Sequence, residues 1–223
     1  MVYHDICVAL RLSPEAETEV YRVVGEQKAR WGEGEFFLAP PFLPHVALYH
    51  GRFVQPKIDA ITLGKLCARI VGNGLWSGKP LILADHLWIR SDGWICWSIE
   101  LTRELRALHE EVAAYLQRTT STNFRESARR VLENRDTSRD IRERIRRFGG
   151  VYTGEEFFPH VSIGRVPDTF GFSGEICRVK SGILTHPRAL IAGRIDEYER
   201  IHSDQVFWQK PMVELERKVV SVR

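Results

Sequence analysis

The chain predicts an α+β fold of antiparallel sheets with helices on the outside. Three observations carry that expectation. The apolar pattern runs strand, helix, strand, helix, hairpin, helix, an insert, and then strands alone. No βαβ run with a glycine-rich fingerprint occurs, which argues against a doubly wound nucleotide-binding sheet. The 223 residues, 43% apolar and 27% charged, suffice for one large domain or two small lobes with a real core.

Each element has a local reason. Residues 2–12 are mostly apolar and read as a strand. Ser13-Pro14 is a helix start, Ser13 as N-cap and Pro14 at the first helical position, and the helix runs to about Trp31. Gly32, Gly34 and Pro40-Pro41 break the chain. His45 to His50 reads as a strand ended by Gly51. Residues 57–72 carry Ile58, Ile61, Leu66 and Ile70 at helical spacing, closed by Gly72 and Gly74. Residues 81–89 and 94–101 are strands joined by a turn at Ser91-Asp92-Gly93. Thr102 caps a helix over 103–117, with Leu105, Leu108, Val112 and Leu116 on one stripe. Two short amphipathic helices are expected within an Arg-rich insert at about 119–150. Strands follow at 158–165, 175–184, 188–198 and 205–218.

Net charge is only +3, but its distribution is uneven. Residues 118–149 hold ten arginines against five acidic residues, +5 locally, so the rest of the chain is about −2. Cys7, Cys67, Cys96 and Cys177 are scattered, with no C-x-x-C and no metal-ligand spacing. Cys7 and Cys96 lie in apolar runs, which favours reduced core thiols and a reducing compartment. No signal peptide and no bilayer-length apolar run is read, so a soluble cytoplasmic protein without a membrane partner is expected.

The pattern that points to chemistry is a repeat. Phe42-Leu43-Pro44-His45-Val46-Ala47-Leu48 and Phe157-Phe158-Pro159-His160-Val161-Ser162-Ile163 nearly match, 115 residues apart. Each places a histidine at the start of an apolar strand. By alternation His45, Ala47 and Tyr49 share one face, and His160, Ser162 and Gly164 share another. Two half-sites facing one cleft would bring together two imidazoles, the minimum for general acid–base chemistry at neutral pH. His50 reads as a turn residue. His4, His86, His109, His186 and His202 read as structural or surface groups. Two histidines without carboxylate or cysteine partners at ligand spacing fall short of a zinc set, so no metal and no cofactor is expected.

These paired H-x-[ST]-h strands resemble the 2H phosphoesterase superfamily. That group includes bacterial 2′-5′ RNA ligase-like proteins, plant and yeast cyclic nucleotide phosphodiesterases, and phosphodiesterases that trim a spliceosomal small RNA. The likeness extends to Trp94–Leu101 followed by Arg103–His109, and to the arginine trailing His160-Val161-Ser162-Ile163-Gly164-Arg165. It covers most of residues 2–215 outside the insert. It implies two lobes related by a pseudo-twofold axis around a water-filled cleft. It also implies metal-independent cleavage of a 2′,3′-cyclic or 2′-5′ phosphodiester in RNA or a small nucleotide. His45 and His160 match the catalytic pair and Ser162 the phosphate-binding hydroxyl; Arg165 and Tyr49 are the further substrate-binding candidates.

Ala47 departs from the family's Thr or Ser. A missing hydrogen bond to a charged group costs roughly 1.5–3 kcal/mol, unless Tyr49, Arg52 or a backbone N–H replaces it. The alternative reading is a non-catalytic RNA- or nucleotide-binding module. The insert reads either as an RNA-backbone clamp or as a solvated hairpin of paired charges. Tyr49, Phe157 and Trp208 are the candidate stacking platforms for bases.

Overall fold

The computed structural model describes residues 2–32, 36–54, 58–90, 92–119, 124–149, 156–167, 174–179 and 183–216. It is α+β, with two antiparallel sheets. The first sheet runs β10-β9-β1-β3: β1 is Tyr3–Arg11, β3 His45–Val54, β9 Ala189–Ile195 and β10 Ile201–Pro211. The second runs β2-β6-β5-β4-β7: β2 is Phe36–Phe37, β4 Leu81–Ile89, β5 Trp94–Ile99, β6 His160–Arg165 and β7 Gly174–Arg178. A short β8, Ile183–Thr185, also pairs with β4. Each sheet therefore holds one histidine strand. β3 is the edge of the first sheet, whereas β6 lies between β2 and β5 in the second.

The helices are α1 (Pro14–Trp31), α2 (Ala60–Gly72), α3 (Arg103–Leu116), α4 (Glu126–Glu133), α5 (Arg139–Phe148) and α6 (Met212–Glu216). Ser13, Asp59, Thr102 and Ser138 cap four of them, each side chain accepting from a backbone N–H three residues on. The helices cross over between sheets. α1 follows β1 of the first sheet but packs on β6 of the second, and α3 follows β5 of the second but packs on β3 of the first. One core joins Val8 and Leu10 of β1, Val20 and Val23 of α1, Leu108 and Val112 of α3, and Trp97 and Val161 of the second sheet.

Several boundaries move. β3 runs through Gly51 to Val54, and glycine marks a close approach rather than a strand end: a Cβ there would lie 2.9 Å from both Phe53 Cε2 and Tyr49 Cε1. The expected strand at 175–184 is two strands, and residues 180–182 lie outside the described set. The last strand ends at Pro211, where α6 begins and buries Met212 and Leu215. Ser91 of the hairpin turn, Gly34 and Gly150 lie outside the described residues. All four cysteines are free thiols, three of them buried. Among the described residues no helix is long and apolar enough to cross a membrane.

His109 of α3 ties the two halves together. Its Nδ1 donates to the Leu48 carbonyl at 2.7 Å, and its ring stacks on Phe157 at 3.8 Å and 3°. Burial pushes this imidazole down to about 4, against a partial upward pull from the Leu48 carbonyl. The unfolded chain takes up a proton near pH 6.5 that the folded chain refuses until about pH 4. His109 therefore lowers stability as pH falls through that window, by about 1.4 kcal/mol per pH unit. H109N keeps a donor but cannot titrate. Urea unfolding between pH 4 and 6.5 should show a slope shallower by about one proton than wild type.

Candidate active site

Each motif histidine is set by the residues just before it. Nδ1 of His45 donates to the Leu43 carbonyl and Nδ1 of His160 to the Phe158 carbonyl, both at 2.8 Å. In both cases a proline intervenes. It holds the preceding residue extended, so that residue's carbonyl can turn back to the ring. In both rings Nδ1 carries a proton, which leaves Nε2 as the nitrogen available for other contacts.

The strands then behave alike in a way simple alternation misses. β3 pairs with β1 through Ala47↔Ala9 and Tyr49↔Val8, so Leu48 is an extra residue with no counterpart. β6 pairs with β5 through Ser162↔Cys96 and Gly164↔Ile95, so Ile163 is likewise extra. A bulge of this kind reverses which face the following side chains take. His45, Ala47 and His50 are half-buried on one side, while Val46, Leu48 and Tyr49 are buried on the other. His160, Ser162 and Arg165 match them, with Val161, Ile163 and Gly164 buried. The extra carbonyls are used by other elements: Leu48 O accepts from His109 and Ile163 O from the Leu38 N–H at 2.9 Å.

This corrects two expectations. Tyr49 does not line the groove; its ring is buried and its hydroxyl donates to the Phe148 carbonyl at 2.8 Å, so it is no substrate-binding residue. His50 is no turn residue. It is the first half's counterpart of Arg165, five residues after the motif histidine and on its side. Arg52 does not replace the hydroxyl missing at Ala47, because its Nε and a terminal nitrogen clamp Asp5 at 2.7 and 2.8 Å.

β3 and β6 face each other between the sheets. His45 and Ser162 line one recess there with Leu38, Leu43, Glu199 and Arg200, about 10 Å³ in volume, room for about one water. His160 keeps an edge at the surface but is otherwise packed round by protein. That burial, with a smaller push from Arg90, lowers it to about 4 against the pull of the Phe158 carbonyl and Glu199. Its ring stacks on the exposed Phe158 at 5.6 Å. Arg165 donates from Nε to the Asp92 carbonyl at 3.2 Å.

Beside His45 lies a cluster that sequence spacing could not show. β1–β3 pairing puts Cys7 directly opposite His50. His50 Nδ1 meets Glu199 at 3.1 Å, and Glu199 meets Arg125 at 2.8 Å. Burial alone would raise the Cys7 thiol, but the neighbouring His50 charge and the closeness of the His45 and His50 rings hold it below its usual range. Burial would likewise lower His50, yet Cys7 and Glu199 raise it. Burial would raise Glu199, yet Arg125 and then His50 hold it well below the carboxylate range. The cluster thus alternates groups that favour negative and positive charge: Cys7, His50, Glu199 and Arg125. Glu199 reaches it from the β9–β10 hairpin with a left-handed backbone (φ 58°), braced by Asp196, which accepts from the Tyr198 and Arg200 N–H groups. A non-glycine residue at positive φ costs about 1 kcal/mol or more, which the two ion pairs offset.

The insert is a helical hairpin whose arginines are largely engaged. Arg129 and Arg130 meet Glu126, Arg139 meets Glu143, and Arg142 donates to the carbonyls of Asn134 and Thr137. Arg125 is buried in the cluster above. Of the stacking candidates, Tyr49 and Phe157 are buried and Trp208 packs against the core.

No family model matches the chain, and no curated protein matches it.

R125M leaves Glu199 without its main cation. Urea unfolding should show a loss of about 1–3 kcal/mol, between the values for exposed and fully buried pairs, since Glu199 is partly solvent-exposed. R125M/E199Q should lose less than the sum of the two single variants.

Proposed function

We propose that this protein cleaves phosphodiesters, of the 2′,3′-cyclic or 2′-5′ kind found at RNA ends and in small nucleotides, by two-histidine acid–base catalysis without metal. One observation carries the reading: two imidazoles presented in the same way on two facing strands. Each has Nδ1 fixed on the carbonyl two residues earlier, and His45 shares its recess with Ser162 of the other strand. The resemblance to the 2H phosphoesterases points the same way. We place the protein in the cytoplasm on the same resemblance and on its free cysteines.

His160, neutral at physiological pH, takes the proton from the attacking water or hydroxyl. His45 donates a proton to the leaving oxygen. The Ser162 hydroxyl donates to a phosphoryl oxygen, and the recess is sized for one such oxygen. Arg165, on the same side of β6, adds positive charge. The nucleoside lies outside the recess, where the exposed Phe158 offers a face for a base.

Ala47 favours a second reading, a module that binds such phosphates without turning them over. Incubation with 2′,3′-cyclic nucleotides in EDTA separates the two: turnover supports the enzyme, and binding without turnover supports the module. H45A and H160A should each abolish turnover with the circular dichroism unchanged; retained activity in either overturns the assignment. A47S restores a hydroxyl at the position matching Ser162. It should raise kcat/KM about 10- to 100-fold, the kinetic equivalent of one charge-assisted hydrogen bond.

A further inference from the structure

We infer that Cys7, His45 and His50 form a binding site for one thiophilic divalent transition-metal ion of the Zn²⁺ class. The Cys7 sulfur and one ring nitrogen from each histidine lie within 4.8 Å of one another. The three come from one sheet face: Cys7 opposes His50 across β1–β3, and the bulge at Leu48 turns His50 to the side of His45. Two adjacent, hydrogen-bonded strands therefore hold every ligand.

The ring nitrogens not needed for a metal are already engaged. Nδ1 of His45 is on the Leu43 carbonyl at 2.8 Å and Nδ1 of His50 on Glu199 at 3.1 Å. That leaves Nε2 as the ligating atom on both rings. Nε2 of His50 is buried with no hydrogen-bond partner. A polar atom left so inside a protein is costly, and a metal bond would satisfy it. A carbonyl on one histidine and a carboxylate on the other are the outer contacts that orient imidazoles on zinc.

The donor set selects the ion. One thiolate and two imidazoles suit Zn²⁺ and related ions, not Mg²⁺ or Ca²⁺, which take oxygen. Three protein ligands with a fourth position open is the arrangement of a reactive or exchangeable zinc site. The recess beside His45 has room for a water there. On binding, the Nε2 proton of His50, and the Cys7 proton where present, pass to solvent.

One consequence rests on the proposed function. The ion would take the Nε2 that His45 needs for proton transfer, so the loaded chain is silent and the stripped chain active. The site would then make activity answer to the free-metal level.

The whole protein, stripped with EDTA and desalted, is titrated with Co²⁺ as a spectroscopic stand-in for Zn²⁺. One equivalent should bind and produce a sulfur-to-cobalt charge-transfer band in the near ultraviolet. C7S should abolish the band, and C7S and H50Q should each weaken binding at least about 100-fold, since loss of an outer contact alone costs 10- to 100-fold. No uptake, a spectrum without the band, or unchanged binding by C7S overturns the site. Should the variants not fold, Zn²⁺ must raise the unfolding midpoint of the wild-type protein, and an unmoved midpoint overturns the site equally. Cyclic-nucleotide turnover is read separately. Activity in EDTA silenced by one equivalent of Zn²⁺ is expected; activity with the ion bound refutes the shared His45. Inactivity in EDTA refutes the catalytic reading alone, with the cobalt spectrum still deciding the site.

Discussion

Each histidine strand carries one residue more than the strand beside it, and the side-chain alternation reverses at that residue. The rest of the site depends on this irregularity. A regular β3 would send Tyr49 to the groove and His50 into the apolar core, where an imidazole without partners is expensive. A regular β6 would send Gly164 to the groove and Arg165 to the core. With the bulge, the histidine, the residue two beyond it and the residue five beyond it all reach the same side. The cost is an unpaired carbonyl on each extra residue. His109 satisfies one and Leu38 the other, so α3 and the chain after β2 are built into the site's support.

The two halves share a backbone device but fill it differently. At the fifth position β6 carries Arg165, a permanent cation held on the carbonyl of a hairpin turn. β3 carries His50, which can lose its proton and faces Cys7 and Glu199. The charge in the first half is therefore borrowed. It is favoured because Cys7 and Glu199 flank the imidazole, and Glu199 is itself held down by Arg125. Removing any member leaves a partly buried neighbour uncompensated. The second half needs no such chain.

Much of this was legible from the amino-acid order. The repeated Phe-x-Pro-His strands, the capped helices α1 and α3, and the β4–β5 hairpin all follow from local pattern, and so does the α+β class. The paired helices of the insert were also readable, from Phe124, Ala128 and Leu132 and then Ile141, Ile145 and Phe148. What pattern could not supply was phase and partnership. A bulge leaves no mark in an apolar strand, so Tyr49 read as groove-facing and His50 as incidental. Cys7 and His50 lie far apart in sequence, and only antiparallel pairing makes them opposite. Glu199 sits at a hairpin tip where a charged residue signals nothing. The resemblance to the 2H phosphoesterases names the histidines but not these neighbours.

The insert illustrates how a composition signal can mislead about role. Ten arginines before a phosphate-seeking motif suggest a surface that grips RNA. In the structure the two ends of the hairpin are fastened to β3: Arg52 donates to the Phe124 carbonyl and Tyr49 to the Phe148 carbonyl. Between them α4 and α5 pair Glu126 with Arg129 and Arg130, and Arg139 with Glu143, as i,i+3 and i,i+4 partners on short helices do. The arginine that reaches the site is Arg125, at the hairpin's first turn, and it grips Glu199 rather than solvent. The insert thus acts on the site from behind. It braces the strand bearing His45, and it supplies the cation that keeps Glu199 ionised against His50. The positive charge that drew attention in the sequence serves to hold one carboxylate in place.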